Sequence, residues 1–120
     1  MKVQNYRQVE GREEPPGVVM RIVAGPAEGA PNFAMRVFEI EPLKSTPPHS
    51  HAWEHEVFVV SGRGVIRSAD TERQLSDGDA IMVLPDEQHC FANTGDDILR
   101  LICVVPLING KVPGMPSAAE

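Results

Sequence analysis

Four histidines, His49, His51, His55 and His89, are the residues of this chain best placed to do chemistry. Three of them fall within seven residues. In an extended segment alternate side chains share a face, so positions 49, 51 and 55 project the same way. His89 comes much later, just after a turn and at the start of an apolar stretch. Packing explains three same-face histidines behind Thr46–Pro48 poorly, because imidazole adds little to a core unless it is hydrogen-bonded. Neutral imidazole is a common ligand of divalent transition ions. Four imidazoles converging at the mouth of a small sandwich or barrel would surround one such ion. They would leave its full double charge uncompensated and coordination positions free for water, substrate or O2. Imidazole ligation suits Zn, Cu, Fe or Ni and also admits Mn.

The rest of the chain has to supply a scaffold for that convergence. Its 120 residues are the length of one domain. With 42% hydrophobic and 23% charged residues it falls among folded globular chains rather than disordered or fibrous ones. Eleven Lys and Arg against seventeen Asp and Glu leave a net charge of −6 with no basic run, which argues against a nucleic-acid partner. The longest apolar runs, Ala80–Leu84 and Leu101–Ile108, fall far short of the ~20 residues of a membrane span. The N-terminal segment MKVQNYRQVEGREEPPG has no apolar stretch of signal-peptide type. Two cysteines, Cys90 and Cys103, cannot form a disulfide framework, and together with the missing signal they fit a cytoplasmic protein.

Eleven prolines and ten glycines punctuate short apolar runs along the chain, and no long window repeats with helical period. Strands are expected over 17–24, 32–41, 55–60, 65–69, 71–75, 80–84 (a buried strand), 89–93 and 98–105. With the ends included, eight to ten short strands and no helix predict an all-β sandwich or barrel. For residues 1–16 both a short strand near Val3–Tyr6 and a flexible arm fit; residues 109–120 read as a fraying tail. By alternation, Phe91 shares the inward face of His89 and Cys90 does not. Leu101, Cys103 and Val105 share a face on the last strand. Arg36 sits in an apolar strand, where it either binds an anionic substrate group or pairs with an acidic residue of the scaffold. Trp53 either covers the rim of the site or packs. Glu54, Glu56 and Asn93 lie close enough in sequence to orient the imidazoles through their second nitrogens.

The segments PPHSHAWEHEVFVVSGRG and GDAIMVLPDEQHCFAN resemble the two motifs of the cupin superfamily, and the similarity extends over about residues 18–108. His49, His51 and His89 stand at its ligand positions, and His55 stands where the usual motif has Glu. Gly62 and Gly64 stand at the close of the first motif, Gly78 and Asn93 in the second. Leu43 or Lys44 falls at the first motif's opening glycine, Leu84 at the second motif's proline, and Asp86 at its inner glycine. The resemblance implies a small single-domain cupin of jelly-roll type: an N-terminal arm or swapped strand over 1–16, the cupin domain over 17–108, and a tail over 109–120. It also implies one divalent ion, manganese first and Fe, Zn, Ni or Cu otherwise, on His49, His51, His55 and His89. Arg36, Phe91, Leu101 and Cys103 would then line a small-molecule pocket. Dioxygenase-like oxidation of a small organic substrate is the activity it suggests first. The alternatives are a non-redox isomerase or lyase, and a binding or sensing module without turnover. Apolar positions alternating with the histidine face, Phe58 and Val60 among them, suit either a homodimer contact or the second layer of the chain's own sandwich.

Overall fold

The computed structural model describes residues 1–114 and contains nine strands: β1 (Arg12–Glu13), β2 (Val18–Ala24), β3 (Phe33–Ile40), β4 (His55–Ser61), β5 (Gly64–Arg67), β6 (Glu72–Leu75), β7 (Ala80–Val83), β8 (Cys90–Asn93) and β9 (Leu99–Pro106). Single 3-10 turns at Tyr6–Gln8 and Pro26–Glu28 are the only helical elements among the described residues. The strands form two antiparallel sheets, a large one ordered β1-β2-β3-β9-β4-β7 and a small one ordered β6-β5-β8. This is the all-β sandwich that the turn spacing predicts. No helix among the described residues is long and apolar enough to cross a membrane.

The core lies between the two sheets. Val18, Ile40, Val59, Leu99 and Leu101 of the large sheet are buried against Leu75 and Phe91 of the small one. Register explains which side chains meet. Arg36 pairs with Cys103 across β3 and β9, and Cys103 pairs with Val57 across β9 and β4. A row of residues paired directly across adjacent strands shares one face of the sheet. Arg36, Cys103 and Val57 therefore all look inward, and Val57 lies two residues along β4 from His55, on the same face.

Two sharp features follow from close backbone approach. A Cβ on Gly64 would stand 2.4 Å from the Ala92 carbonyl oxygen, and one on Gly62 would stand 2.7 Å from that of Ile98. The paired glycines that close the first motif thus let β5 approach β8 and let the preceding turn pass over the start of β9.

Two residues at or beside positions where the family motif has glycine have left-handed backbone. They are Leu43 and Asp86, with φ of 70° and 66°. Asp tolerates this region better than most residues, and leucine does not. The Leu43 side chain is 94% exposed, so it makes no packing that would offset the strain. Leu43→Gly is expected to raise stability by roughly 0.5–1 kcal/mol. About 1–2 kcal/mol of backbone strain is relieved, less the extra freedom glycine gives the unfolded chain. A denaturant midpoint that falls in this variant would show that Leu43 does more than bear a turn.

Several expectations need correction. Ala80–Leu84 is not a buried strand: β7 is the edge of the large sheet, paired on one side only, with Met82 and Leu84 largely exposed. Phe58 and Val60 also face outward and stay exposed, so the small sheet does not cover them. There is no strand at Val3–Tyr6. The arm instead forms the 3-10 turn, is held by Gln4 Nε2 donating to the Val23 carbonyl (2.8 Å) and Arg21 Nε donating to that of Val9 (3.1 Å), and adds β1 to β2 of the same chain. The tail does not fray from residue 109. Ile108 bridges Lys111, Val112 is buried in the core, and Pro113 and Gly114 reach the wall of the cavity described below. The remainder of that predicted tail, 115–120, lies outside the described residues.

Candidate metal centre

Backbone pairing brings His89 to the H-x-H segment. The His49 N–H donates to the His89 carbonyl (3.1 Å), and the His89 N–H donates back to that of His49 (3.0 Å). The preceding segment continues the ladder: Ser45 bridges Ala92, Thr46 N–H donates to the Phe91 carbonyl, and Phe91 N–H donates to Thr46 Oγ1. Asp86 N–H binds the His51 carbonyl at 2.7 Å and fastens the turn before β8 to the same segment. Asn93 fixes the far end, donating to the carbonyls of Ile40 and Asp97 and accepting from Gly95 N–H.

The imidazoles therefore arrive on rigid backbone. The ligand atoms of His49, His51 and His89 lie within 4.8 Å of one another, a triad that could hold a metal ion. Their orientation is set by backbone carbonyls and not by Glu54, Glu56 or Asn93, the candidates that lie close in sequence. His49 Nδ1 donates to the Pro47 carbonyl (2.7 Å), His51 Nδ1 to that of Trp53 (2.8 Å), and His89 Nδ1 to that of Glu87 (2.8 Å). A carbonyl can only accept, so in all three rings the hydrogen sits on Nδ1 and the lone pair on Nε2 faces the cluster. The indole of Trp53 also stacks on His51, with ring centroids 4.4 Å apart and planes 4° from parallel.

His55 reaches the same place from β4. It is 5% exposed, and its Nε2 stands 2.6 Å from that of His51. Because His51 Nε2 carries the lone pair, His55 Nε2–H is the donor. Its Nδ1 faces Cys103 Sγ at 2.9 Å, and Arg36 Nη2 donates to the same sulfur at 3.1 Å. Burial pushes the Cys103 thiol up, against the pull of Arg36, so it is neutral near pH 7. Cys103 is thus more than a lining residue of the pocket: it joins Arg36 to His55. Cys90 is also buried but does not line the cavity, and both thiols are free, as the alternation of faces requires.

Three of the imidazoles, His51, His55 and His89, are biased toward the neutral form, as metal ligation demands. Burial holds His55 down to about 3, with Arg36 and the other three histidines adding to the effect. Burial likewise lowers His51 and His89 below the ordinary histidine value. His89 Nε2 is buried and has no hydrogen-bond partner among the described residues. A buried acceptor without a partner is costly. A divalent ion would satisfy it, and the other imidazoles supply donors of the same kind, so the residues present fit a metal.

The histidines open into a cavity of about 660 Å³. Arg36, Phe91, Leu101 and Cys103, all expected at the pocket, do line it. Sequence reasoning missed its closure at both chain ends, where Arg12, Glu14 and Pro15 of the arm and Pro113 and Gly114 of the tail meet the wall. No side-chain pattern in those two segments could have signalled it.

The model of the cupin domain family (Cupin_2) matches residues 36–105. The chain belongs to the cupin family. Among its relatives is Protein SchB of Streptomyces halstedii, 29% identical over 108 residues that span 85% of this chain and 78% of SchB. Among solved structures, this cupin is similar to the polyketide cyclase RemF from Streptomyces resistomycificus. The two are 30% identical with a TM-score of 0.81, over 88% of this chain and 79% of RemF. A predicted oxalate decarboxylase from Thermotoga maritima shares the fold, with 19% identity and a TM-score of 0.77, over 89% of this chain and all of the other.

Proposed function

We propose that this cupin is a metal-dependent cyclase that folds a chain of ketone groups and closes a ring by carbon–carbon condensation with loss of water. The observation that carries the reading is the histidine cluster opening into a large cavity with apolar and aromatic walls, in a chain similar to RemF across most of its length. His49, His51 and His89 would hold the ion, with His55 as the fourth ligand. An ion bound there supplies Lewis acidity toward a carbonyl or enol oxygen. For His55 to join the other three, the hydrogen on its Nε2 has to shift to Nδ1, which then donates to the Cys103 sulfur already beside it. Phe38, Phe91, Leu101 and Trp53 line the cavity, where they would exclude water and press a flexible substrate into a folded shape. The family resemblance favours manganese, while an all-imidazole set suits Zn, Fe, Ni and Cu as well.

The test is to load the protein with each metal in turn and supply a synthetic poly-keto substrate with and without O2. The expected result is a product lighter by one water, formed anaerobically without oxygen uptake. Turnover that requires and consumes O2 would replace this reading with the dioxygenase-like one. Tight binding without turnover under either condition would favour the non-catalytic module.

A further inference from the structure

Arg36 is a cation in search of an anion. It is 8% exposed, lines the histidine cavity, and faces inward from the middle of the large sheet. The four ion pairs among the described residues use Arg12, Arg21, Arg67 and Arg100, so no carboxylate neutralises it. Of its five N–H groups, only one on Nη2 is bonded, and that to a neutral thiol, a weak acceptor. Nε is buried without any partner. The guanidinium lies over the Phe38 ring, 5.1 Å from its centroid, which steadies the plane without neutralising the charge. A structural arginine at this depth would be expected to carry a carboxylate partner, because an unpaired buried charge is strongly disfavoured. The alternative raised by the sequence, pairing with an acidic residue of the scaffold, is thereby removed.

We infer that Arg36 is the seat of an anionic oxygen of the substrate, a carboxylate or an ionised enol, held one sulfur atom away from the imidazole of His55. The inference deepens the cyclase reading by adding a charge requirement to the substrate: an otherwise apolar, ring-sized molecule with an anionic oxygen at one end and its reacting carbonyl near the histidines. The planar guanidinium suits such oxygens by paired hydrogen bonds, which lysine cannot reproduce.

The single tryptophan, Trp53, lines the same cavity and reports occupancy by fluorescence. The probes are naphthoate for the carboxylate, hydroxynaphthoquinone for the ionised enol, and naphthol as the neutral control. Each is titrated into the purified protein before and after metal removal with EDTA, so that binding by the ion is separated from binding by Arg36. In the metal-stripped protein at least one anionic probe should bind about 10- to 100-fold more tightly than naphthol, as expected of a hydrogen-bonded charge pair. Which anion wins identifies the oxygen. Arg36→Met should cancel the preference while leaving naphthol binding intact, and Arg36→Lys should keep only part of it. Equal binding of anionic and neutral probes by the stripped wild-type protein overturns the inference, whether or not either variant folds. An unchanged preference in Arg36→Met does the same. Neither outcome touches the cyclase reading, and absence of cyclisation with the anion preference intact would sink that reading alone.

Discussion

Replacing His89 with alanine is expected to abolish the binding of a divalent ion at the histidine cluster. His89 is the buried member of the triad, and its Nε2 has nothing else to bind. Loss of a group that merely orients a ligand costs ~10–100-fold in metal affinity, and loss of the ligand itself should exceed that. Metal content by elemental analysis should fall from about one ion per chain to near zero after dialysis, and His49→Ala and His51→Ala should follow. The fold should survive, because the backbone bonds between His49 and His89 do not need the ring. The His55 position is more tolerant. His55→Glu should still bind metal, since glutamate stands there in the commoner family motif. Wild-type stoichiometry and affinity in His89→Ala would remove that residue from the ligand set.

The contrast between His89 and His55 shows what could be read before any coordinates. Histidine identity and spacing mark out the cluster; alternation along one extended segment does not carry His55 there, because the chain bends at residues 52 and 53 before β4 begins. The position of Asp86 at the second motif's inner glycine likewise points to a turn, and its backbone is left-handed, as is that of Leu43 near the first motif's opening glycine. The groups that orient the imidazoles are a different matter. They are the carbonyls of Pro47, Trp53 and Glu87, and every residue has a carbonyl, so the side chains carry no trace of the role. The exposure of β7 was hidden for a related reason. An apolar run reports a preference for burial, but whether a second strand covers it depends on the sheet order, which is long-range. The pairing of Arg36 was undecidable for the same cause, since its contact, Cys103, lies 67 residues away in the chain.

Acid should destabilise the metal-free protein at a pH where most folds are indifferent. His55 is held down to about 3 in the folded state by burial first, then by Arg36 and the neighbouring imidazoles. In the unfolded chain it titrates near ~6.5. The unfolded state therefore binds the extra proton through this window, and stability falls as pH drops below about 6.5 until the folded state titrates in turn. Each pH unit removes about 1.4 kcal/mol through this one group, or about 3 kcal/mol by roughly pH 4.5. His51 and His89 are shifted in the same direction and steepen the slope. The carboxylate most clearly tied to acid lability acts lower. Burial alone would raise Glu39, but its bonds to Arg100 and Arg21 reverse that and hold it below the usual range. Its contribution is lost only under about pH 4.5, after the histidine window has begun. Denaturant unfolding of EDTA-treated protein at stepped pH should show the loss, and His55→Gln should flatten it between about pH 6.5 and pH 4.5. Adding metal should do the opposite and steepen the curve, because the ion binds only neutral imidazole and is shed as protons compete for it. If His55→Gln retains the wild-type slope, the burial of this imidazole is not what sets the acid sensitivity, which then rests on other groups, His51 and His89 among them.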